Sequence, residues 1–235
     1  LRRVFKDPNY YPTSAKQITG KVLYACYMAS KHSSNETRRR AQNLANEIGA
    51  TYFEINIDDA CKALVQSIKP VVKNDPQFMK HGGDIFQDIA LQNLQARTRM
   101  VLSYFLAQLI PVEYNLKSFL LVLGSANLDE SLRGYMTKYD ASSADINPIG
   151  GFSKIDLRAF LRWCTEEKGI KSALEIIEAV PTAELRPVDQ GELQKDEDEM
   201  GMTYDELSVF GRLRKISQFG PVAMFKKLTH DWNHL

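Results

Sequence analysis

The chain runs to 235 residues, 44% of them hydrophobic and 25% charged, with a formal net charge of +1. That length supports one substantial core, and therefore one domain rather than two, in a composition ordinary for a globular protein. The charge balance excludes the basic excess of a nucleic-acid surface, and no apolar run approaches the roughly 20 residues needed to cross a membrane.

Cys26, Cys61 and Cys164 are far apart and show no CxxC spacing. This excludes a disulfide framework and a zinc site, and fits reduced thiols in the cytosol. No secretory signal pattern appears, so a soluble, cytoplasmic protein is expected, with neither nucleic acid nor membrane as partner. The chain opens on Leu1-Arg2-Arg3 and closes at His234-Leu235, just after a helical pattern, which reads as a fragment of something longer.

Taken in chain order, residues 21–28 (KVLYACYM) predict a strand ended by Ala29-Ser30-Lys31-His32. Ser34, with Glu36 and Thr37 nearby, fits the cap of a helix carrying Ala41, Leu44, Ala45 and Ile48. Within it, Arg38-Arg39-Arg40 reads as a solvated helix face rather than a phosphate patch. Gly49 ends that helix, and Thr51–Ile57 alternates as a second strand. Asp58-Asp59 then opens another helix. Strand, helix, strand, helix is the pattern of parallel winding. Lys69–Phe86, with two prolines and two glycines, predicts loop.

A long helix is expected from about Asp88 to Leu109, and a third strand at Phe119–Leu123. Helices follow near 129–137, 153–168 and 171–179. The acidic run Asp196–Glu199 reads as a solvated loop, and a last helix runs from Tyr204 to about Ile216. The fold class expected is α/β, a three-layer Rossmann-like parallel sheet.

The richest stretch is Leu121–Lys154, where an apolar strand breaks at Gly124-Ser125 and charges of both signs follow. Open α/β sheets place ligands at such strand ends. Ser125 could bond a phosphate or ribose, or simply close a turn. The helix dipole alone accounts for Asp129, while Glu130 could serve magnesium, which takes few carboxylates beside substrate phosphates. Lys138, Tyr139, Asp140 and Asp145 surround the small residues 141–144, leaving room for a ligand. Lys154 stands at a helix start, where the dipole disfavours a cation and an anion nearby would explain it. Arg97 and Arg99 point apart on one helix, and alone they suggest a structural salt bridge. Pro181–Leu185 reads as a cap motif. His32, His81, His230 and His234 show no metal spacing, and no serine-centred hydrolase elbow appears.

Set together, ALQNLQARTRM, LGSANLDESLRGYMTKYDASSADINPIGGFSK, VPTAEL and DEDEMGMTYDELSVFGRLRK resemble the synthetase domain of eukaryotic-type, glutamine-dependent NAD synthetase. The resemblance runs from about residue 20 to the C-terminus. It implies an adenine nucleotide alpha-hydrolase-like fold of the ATP pyrophosphatase class. It further implies a ligase that adenylates the nicotinate carboxylate of deamido-NAD with ATP, releasing pyrophosphate, after which ammonia displaces AMP to give NAD. By motif position the resemblance assigns Arg97, Lys138 and Asp145 to deamido-NAD, Ser125, Lys154 and Thr182 to ATP, and Glu130 to magnesium. Lys154 and Glu130 are then the catalytic pair, and Arg97 becomes a ligand contact. A homo-oligomer is implied, with deamido-NAD near a subunit interface and the long helix 88–109 a candidate for that contact.

The family's SGGxDS phosphate loop, its basic His-Lys pair near the C-terminus and its nitrilase-like glutaminase domain are not found in this sequence. Residues 1–235 are therefore expected to be a partial synthetase domain, inactive in isolation. Rival readings are another ATP pyrophosphatase, such as a GMP synthetase or a tRNA-thiolating enzyme, or a non-catalytic nucleotide-binding or assembly module of the same fold. The charge balance counts against a tRNA substrate. The survival of Glu130 and Lys154 counts against the non-catalytic module.

Overall fold

Apolar runs alternate with capped amphipathic stretches, and the computed structural model, which describes residues 2–5, 7–116, 118–187 and 192–233, turns that alternation into strands and helices. The abrupt ends at Leu1 and His234-Leu235 lie outside the described residues. A short helix α1 (Arg2–Phe5) precedes α2 (Ala15–Val22), capped by the Ser14 side chain on the Gln17 N–H. Then come β1 (Tyr24–Ala29), α3 (Asn35–Ile48), β2 (Thr51–Asn56) and α4 (Asp58–Ser67). β1 and β2 pair in parallel, from Tyr24 opposite Thr51 to Ala29 opposite Asn56.

Helices cover both faces of this sheet. On one side the Arg38 guanidinium of α3 lies over the Tyr27 ring, 6.0 Å from its centroid. Tyr24, Cys26 and Met28 look the other way, towards Ser103, Leu106, Ala107 and Ile110 of α5 (Ile85–Glu113). The Arg99 Nε of α5 donates to the Met28 carbonyl at 3.0 Å. Beyond α5 follow α6 (Leu128–Arg133), α7 (Lys154–Lys168), α8 (Ser172–Glu178), α9 (Asp196–Met200), α10 (Tyr204–Lys215) and α11 (Pro221–Asp231). Met200, Tyr204 and Leu207 form a buried cluster, with Tyr135 and Met202 packed against it. No helix among the described residues is long and apolar enough to cross a membrane.

The expected cap at Ser34 is present, its hydroxyl accepting the Thr37 N–H at 3.1 Å. Arg39 pairs with Glu36 and Glu175 on a solvated face, as expected. Four expectations need correction. Lys21 and Val22 close α2 instead of opening the strand. Phe119–Leu123 does not pair with β1, because a cavity lined by Tyr24, Cys26 and Met28 on one side and Phe119–Leu123 on the other separates them; it bonds along its other edge. Val122 takes N–H bonds from Asp145 and Ile146, and the Gly124 N–H reaches the Ile146 carbonyl at 2.7 Å.

The long helix extends four residues past Leu109, through Pro111. A proline there leaves one helical carbonyl without its donor, and the Leu120 N–H fills that place on Ala107 at 3.1 Å. Finally, Asp196–Met200 is a helix with Asp196 buried, not a solvated loop.

Gly49 and Gly169 both end helices in the left-handed region, at φ +78° and +69°. A Cβ on Gly49 would lie 2.9 Å from the Lys16 Cβ, whereas one on Gly169 meets nothing within 4 Å. Both alanine substitutions are expected to destabilise through backbone strain of about 1–3 kcal/mol. Urea denaturation should show Gly49→Ala as the more damaging of the two.

Candidate active site

Two helices begin side by side. Asn127, 2% exposed, caps α6: its Oδ1 accepts the Glu130 N–H at 3.0 Å, and Glu130 Oε2 accepts the Asn127 N–H at 3.1 Å. Ser153 and Asp156 cap α7 in the same reciprocal way. The chain ties these starts together twice. Leu128 N–H donates to the Phe152 carbonyl at 2.8 Å, and Lys154 N–H donates to Asp129 Oδ2 at 2.7 Å. Asp129 is 0% exposed, so the helix dipole assigned to it from sequence is only part of its role.

Tyr204, opening α10 from the buried cluster, brings the charged groups into one place. Its hydroxyl donates to Asp196 Oδ2 at 3.0 Å and lies 3.5 Å from Glu130 Oε1. The Lys154 ammonium lies over its ring, 5.1 Å from the centroid. Burial pushes the Glu130 and Asp196 carboxyls above their ordinary range, opposed by hydrogen bonds from Asn127 and Tyr204 and by the Lys154 charge. A cation at a helix start is thus answered first by the protein itself, through two carboxylates and an aromatic face. An ammonium at a helix N-terminus is chemistry that suits a phosphate.

A second group forms along α5. Arg97 Nε donates to the Lys138 carbonyl at 2.9 Å. Tyr104, two turns on, donates to Asp145 Oδ1 at 3.3 Å and to the Ser143 carbonyl. Asp145 Oδ2 accepts the Val122 N–H at 2.8 Å. Arg97, Lys138 and Asp145 are all exposed, so one helix gathers the three residues expected at the second substrate. Neither Arg97 nor Arg99 makes an ion pair among the described residues, which corrects the salt-bridge reading. Arg97 is held by a carbonyl and leaves much of its guanidinium free, while the half-buried Arg99 is bonded to the Met28 carbonyl.

Ser125 is exposed and Thr182 half-buried, and neither is hydrogen-bonded to Glu130 or Lys154. Gly124 permits close packing beneath Ser125, since a Cβ there would stand 3.1 Å from the Ala141 carbonyl oxygen. Thr182 pairs with Lys195 across an antiparallel bridge, and the Asp196 N–H donates to the Pro181 carbonyl at 3.2 Å. The Thr182 strand is therefore joined to the Asp196 that faces Lys154. Glu184, in the same segment, reaches back to cap α3 through the Ser34 N–H at 3.0 Å and the Thr37 hydroxyl at 2.6 Å.

Asp196, Tyr204, Asn127, Asp129 and Tyr104 are site residues that sequence reasoning missed. The one available signal was Asp196 standing eight residues before a tyrosine at a capped helix start. Among the described residues no group of three His, Cys, Asp or Glu side chains is placed to hold a metal ion. Glu130 already accepts Asn127 N–H bonds on both oxygens. The donor set therefore fits magnesium only in the form that ion tolerates, one or two carboxylates completed by substrate phosphates.

The comparisons with known proteins identify the family and the fold. The family model described as NAD synthase matches residues 14–217. The chain is 52% identical over its whole length to a glutamine-dependent NAD(+) synthetase of Dictyostelium discoideum, and 49% identical to the human protein of that name, spanning 33% of each. It thus covers about a third of the length of these curated relatives. Among solved structures, a glutamine-dependent NAD(+) synthetase from Cytophaga hutchinsonii matches 92% of this chain and 31% of its own, with a TM-score of 0.66 at 25% identity. An NMN synthetase from Francisella tularensis matches 89% of this chain and 74% of its own, with a TM-score of 0.61 at 25% identity. The fold is accordingly the α/β, adenine nucleotide alpha-hydrolase-like one expected from the sequence.

The raised Asp196 carboxyl has a consequence for stability. A group whose folded pKa is raised favours folding while protonated, and that contribution is lost as pH rises through the folded value. Asp196→Asn keeps an oxygen for Tyr204 and removes the buried charge. Its unfolding free energy by denaturant titration is expected to exceed that of the parent at pH 7, with the difference shrinking as pH falls below the folded pKa of Asp196.

Proposed function

The chain belongs to the NAD synthase family, and from that premise we propose that it forms the body of the synthetase unit of a longer, glutamine-dependent enzyme that amidates deamido-NAD to NAD. The observation that carries this reading is the Lys154 ammonium, presented at a helix start over Tyr204 between Glu130 and Asp196. A nicotinate carboxylate oxygen attacks the α-phosphorus of ATP, the bond to the β-phosphate oxygen breaks, and pyrophosphate leaves. Ammonia then attacks the carboxyl carbon of the adenylate, loses a proton, and expels AMP. On this reading Lys154 would be the electrostatic partner for charge on the departing pyrophosphate, the largest lever in such transfers. Ser125 and Thr182 hold the nucleotide. Arg97, Lys138 and Asp145, gathered along α5, orient deamido-NAD.

Magnesium, held by Glu130 together with the phosphates, would supply further charge neutralisation on the nucleotide. The groove between β1 and Phe119–Leu123, a cavity of about 530 Å³ floored by α5, supports an additional strand there carrying the phosphate loop. Ammonia would come from a glutaminase domain, in keeping with the one-third coverage of the curated relatives. Val101, Phe105, Leu109 and Val112, between 46% and 71% exposed, form an apolar stripe at helical spacing on α5, which supports a homo-oligomer with the deamido-NAD residues beside its interface. The cytoplasm, where the three free cysteines stay reduced, is the proposed location.

In the full-length protein, ATP, magnesium, deamido-NAD and glutamine are expected to yield NAD, AMP and pyrophosphate, resolved by chromatography. Lys154→Ala should lower the rate by about 100-fold or more, the scale of removing one preorganised charge partner. ADP in place of AMP would contradict adenylation. For the assembly, Phe105→Asp is expected to shift the light-scattering mass towards the monomer, and an unchanged mass would remove α5 from the interface.

A further inference from the structure

Asp129 is a carboxylate with no contact with solvent, 0% exposed, at the first turn of α6. One oxygen, Oδ2, accepts the Lys154 N–H at 2.7 Å, while the other, Oδ1, is buried with no hydrogen-bond partner among the described residues. Burying a carboxylate and leaving one oxygen unpaired is costly. As a brace between two helices it is also redundant, because the Leu128 N–H to Phe152 carbonyl bond already joins the same two starts at 2.8 Å, and each helix carries its own capping box. Stability alone therefore leaves Asp129 unexplained.

Its neighbours supply the missing reason. Asp129 precedes Glu130 directly, and its bond partner is the backbone of Lys154. That single bond fixes the α-carbon of the ammonium-bearing residue relative to the carboxylate beside it. The long Lys154 side chain has four rotatable carbons, and its root, its contact with the Tyr204 ring and the charges of Glu130 and Asp196 restrain it among the described residues. A shift at the root of the order of 1 Å is enough to take a reacting partner out of line.

We propose that Asp129 is a positioning residue of the synthetase site, holding Lys154 against the phosphates of ATP through the backbone amide of Lys154. This rests on the reading that Lys154 serves ATP. Asp129 acts through its acceptor oxygen, not through its charge, so an amide at this position keeps the function.

The test uses the full-length enzyme with ATP, deamido-NAD and ammonia. Asp129→Ala is expected to lower kcat by about 100-fold, the scale of a misplaced reacting group, with KM for deamido-NAD unchanged. Asp129→Asn is expected to recover most of that loss, since its Oδ1 can accept the same N–H. In a Lys154→Ala background, adding Asp129→Ala should cost nothing further, because coupled residues are not additive. The proposal is overturned by additive losses, by an asparagine variant no better than alanine, or by an alanine loss that only tracks the unfolded fraction seen by circular dichroism. Should the alanine variant not fold, Asp129→Ser, too short to reach the N–H, takes its place in the same comparisons. If the parent enzyme forms no NAD, the functional reading fails, and amide hydrogen exchange at Lys154 judges the anchor separately. Faster exchange in the alanine variant but not in the asparagine variant supports it, and equal exchange in all three overturns it.

Discussion

The bond between the Asp129 carboxylate and the Lys154 N–H joins two helix N-termini that come from chain segments 25 residues apart, and the candidate site is arranged around that joint. Each start brings the positive end of a helix dipole to the same place. Left alone, two such ends would repel one another and would hold a lysine poorly. Asp129 bridges them through the Lys154 N–H, while the charge that answers the lysine comes from Glu130 and Asp196, both at the Tyr204 hydroxyl. Negative charge supplied by the fold thus allows positive charge to be concentrated where a triphosphate would arrive.

That arrangement is held under electrostatic tension. Glu130 and Asp196 are carboxylates whose burial raises their pKa, and both gain from the Lys154 charge without forming an ion pair with it. A buried ion pair would fix the ammonium and spend its charge on its partner. The ring of Tyr204 instead restrains Lys154 by a contact that leaves its N–H donors free. A lysine held in this way can turn towards phosphate oxygens without first breaking a salt bridge. The same logic separates the two arginines of α5. Arg99 is half-buried and bonded to Met28, whereas Arg97 spends only its Nε on a carbonyl and keeps the rest of its fork exposed.

Much of this was legible in the sequence because local chemistry and final structure agree there. Ser34 caps and Gly49 ends a helix through contacts within a few residues, and such signals do not depend on the rest of the fold. Lys154 was legible for the opposite reason. A cation at a helix start violates a local rule, and functional sites are where such violations collect. What remained hidden depends on partners far along the chain. Asp196 reads as one of four consecutive acids, and only the docking of α9 on Tyr204 shows which of them turns inward. Pro111 reads as a helix stop until Leu120, nine residues later, supplies the donor for Ala107. Phe119–Leu123 has the composition of a sheet strand, yet its edge is taken by residues 145–146.

The last of these misreadings bears on how the two groups of the candidate site are joined. Because Val122 pairs with Asp145 and Ile146, the loop after the apolar run is folded back onto it. Asp145 is then fixed twice, by the Val122 N–H and by the Tyr104 hydroxyl of α5. The same stretch also delivers Ser125 and, through the capping box at Asn127, Glu130. One chain segment therefore links the group on α5 to the group around Lys154. On the proposed assignment, residues 122–130 would be the covalent link that sets the placement of the two ligands, since no hydrogen bond among the described residues joins the groups themselves. A change that loosens that segment, such as loss of the Asp145 anchor, acts on the alignment of the two ligands even where each still binds.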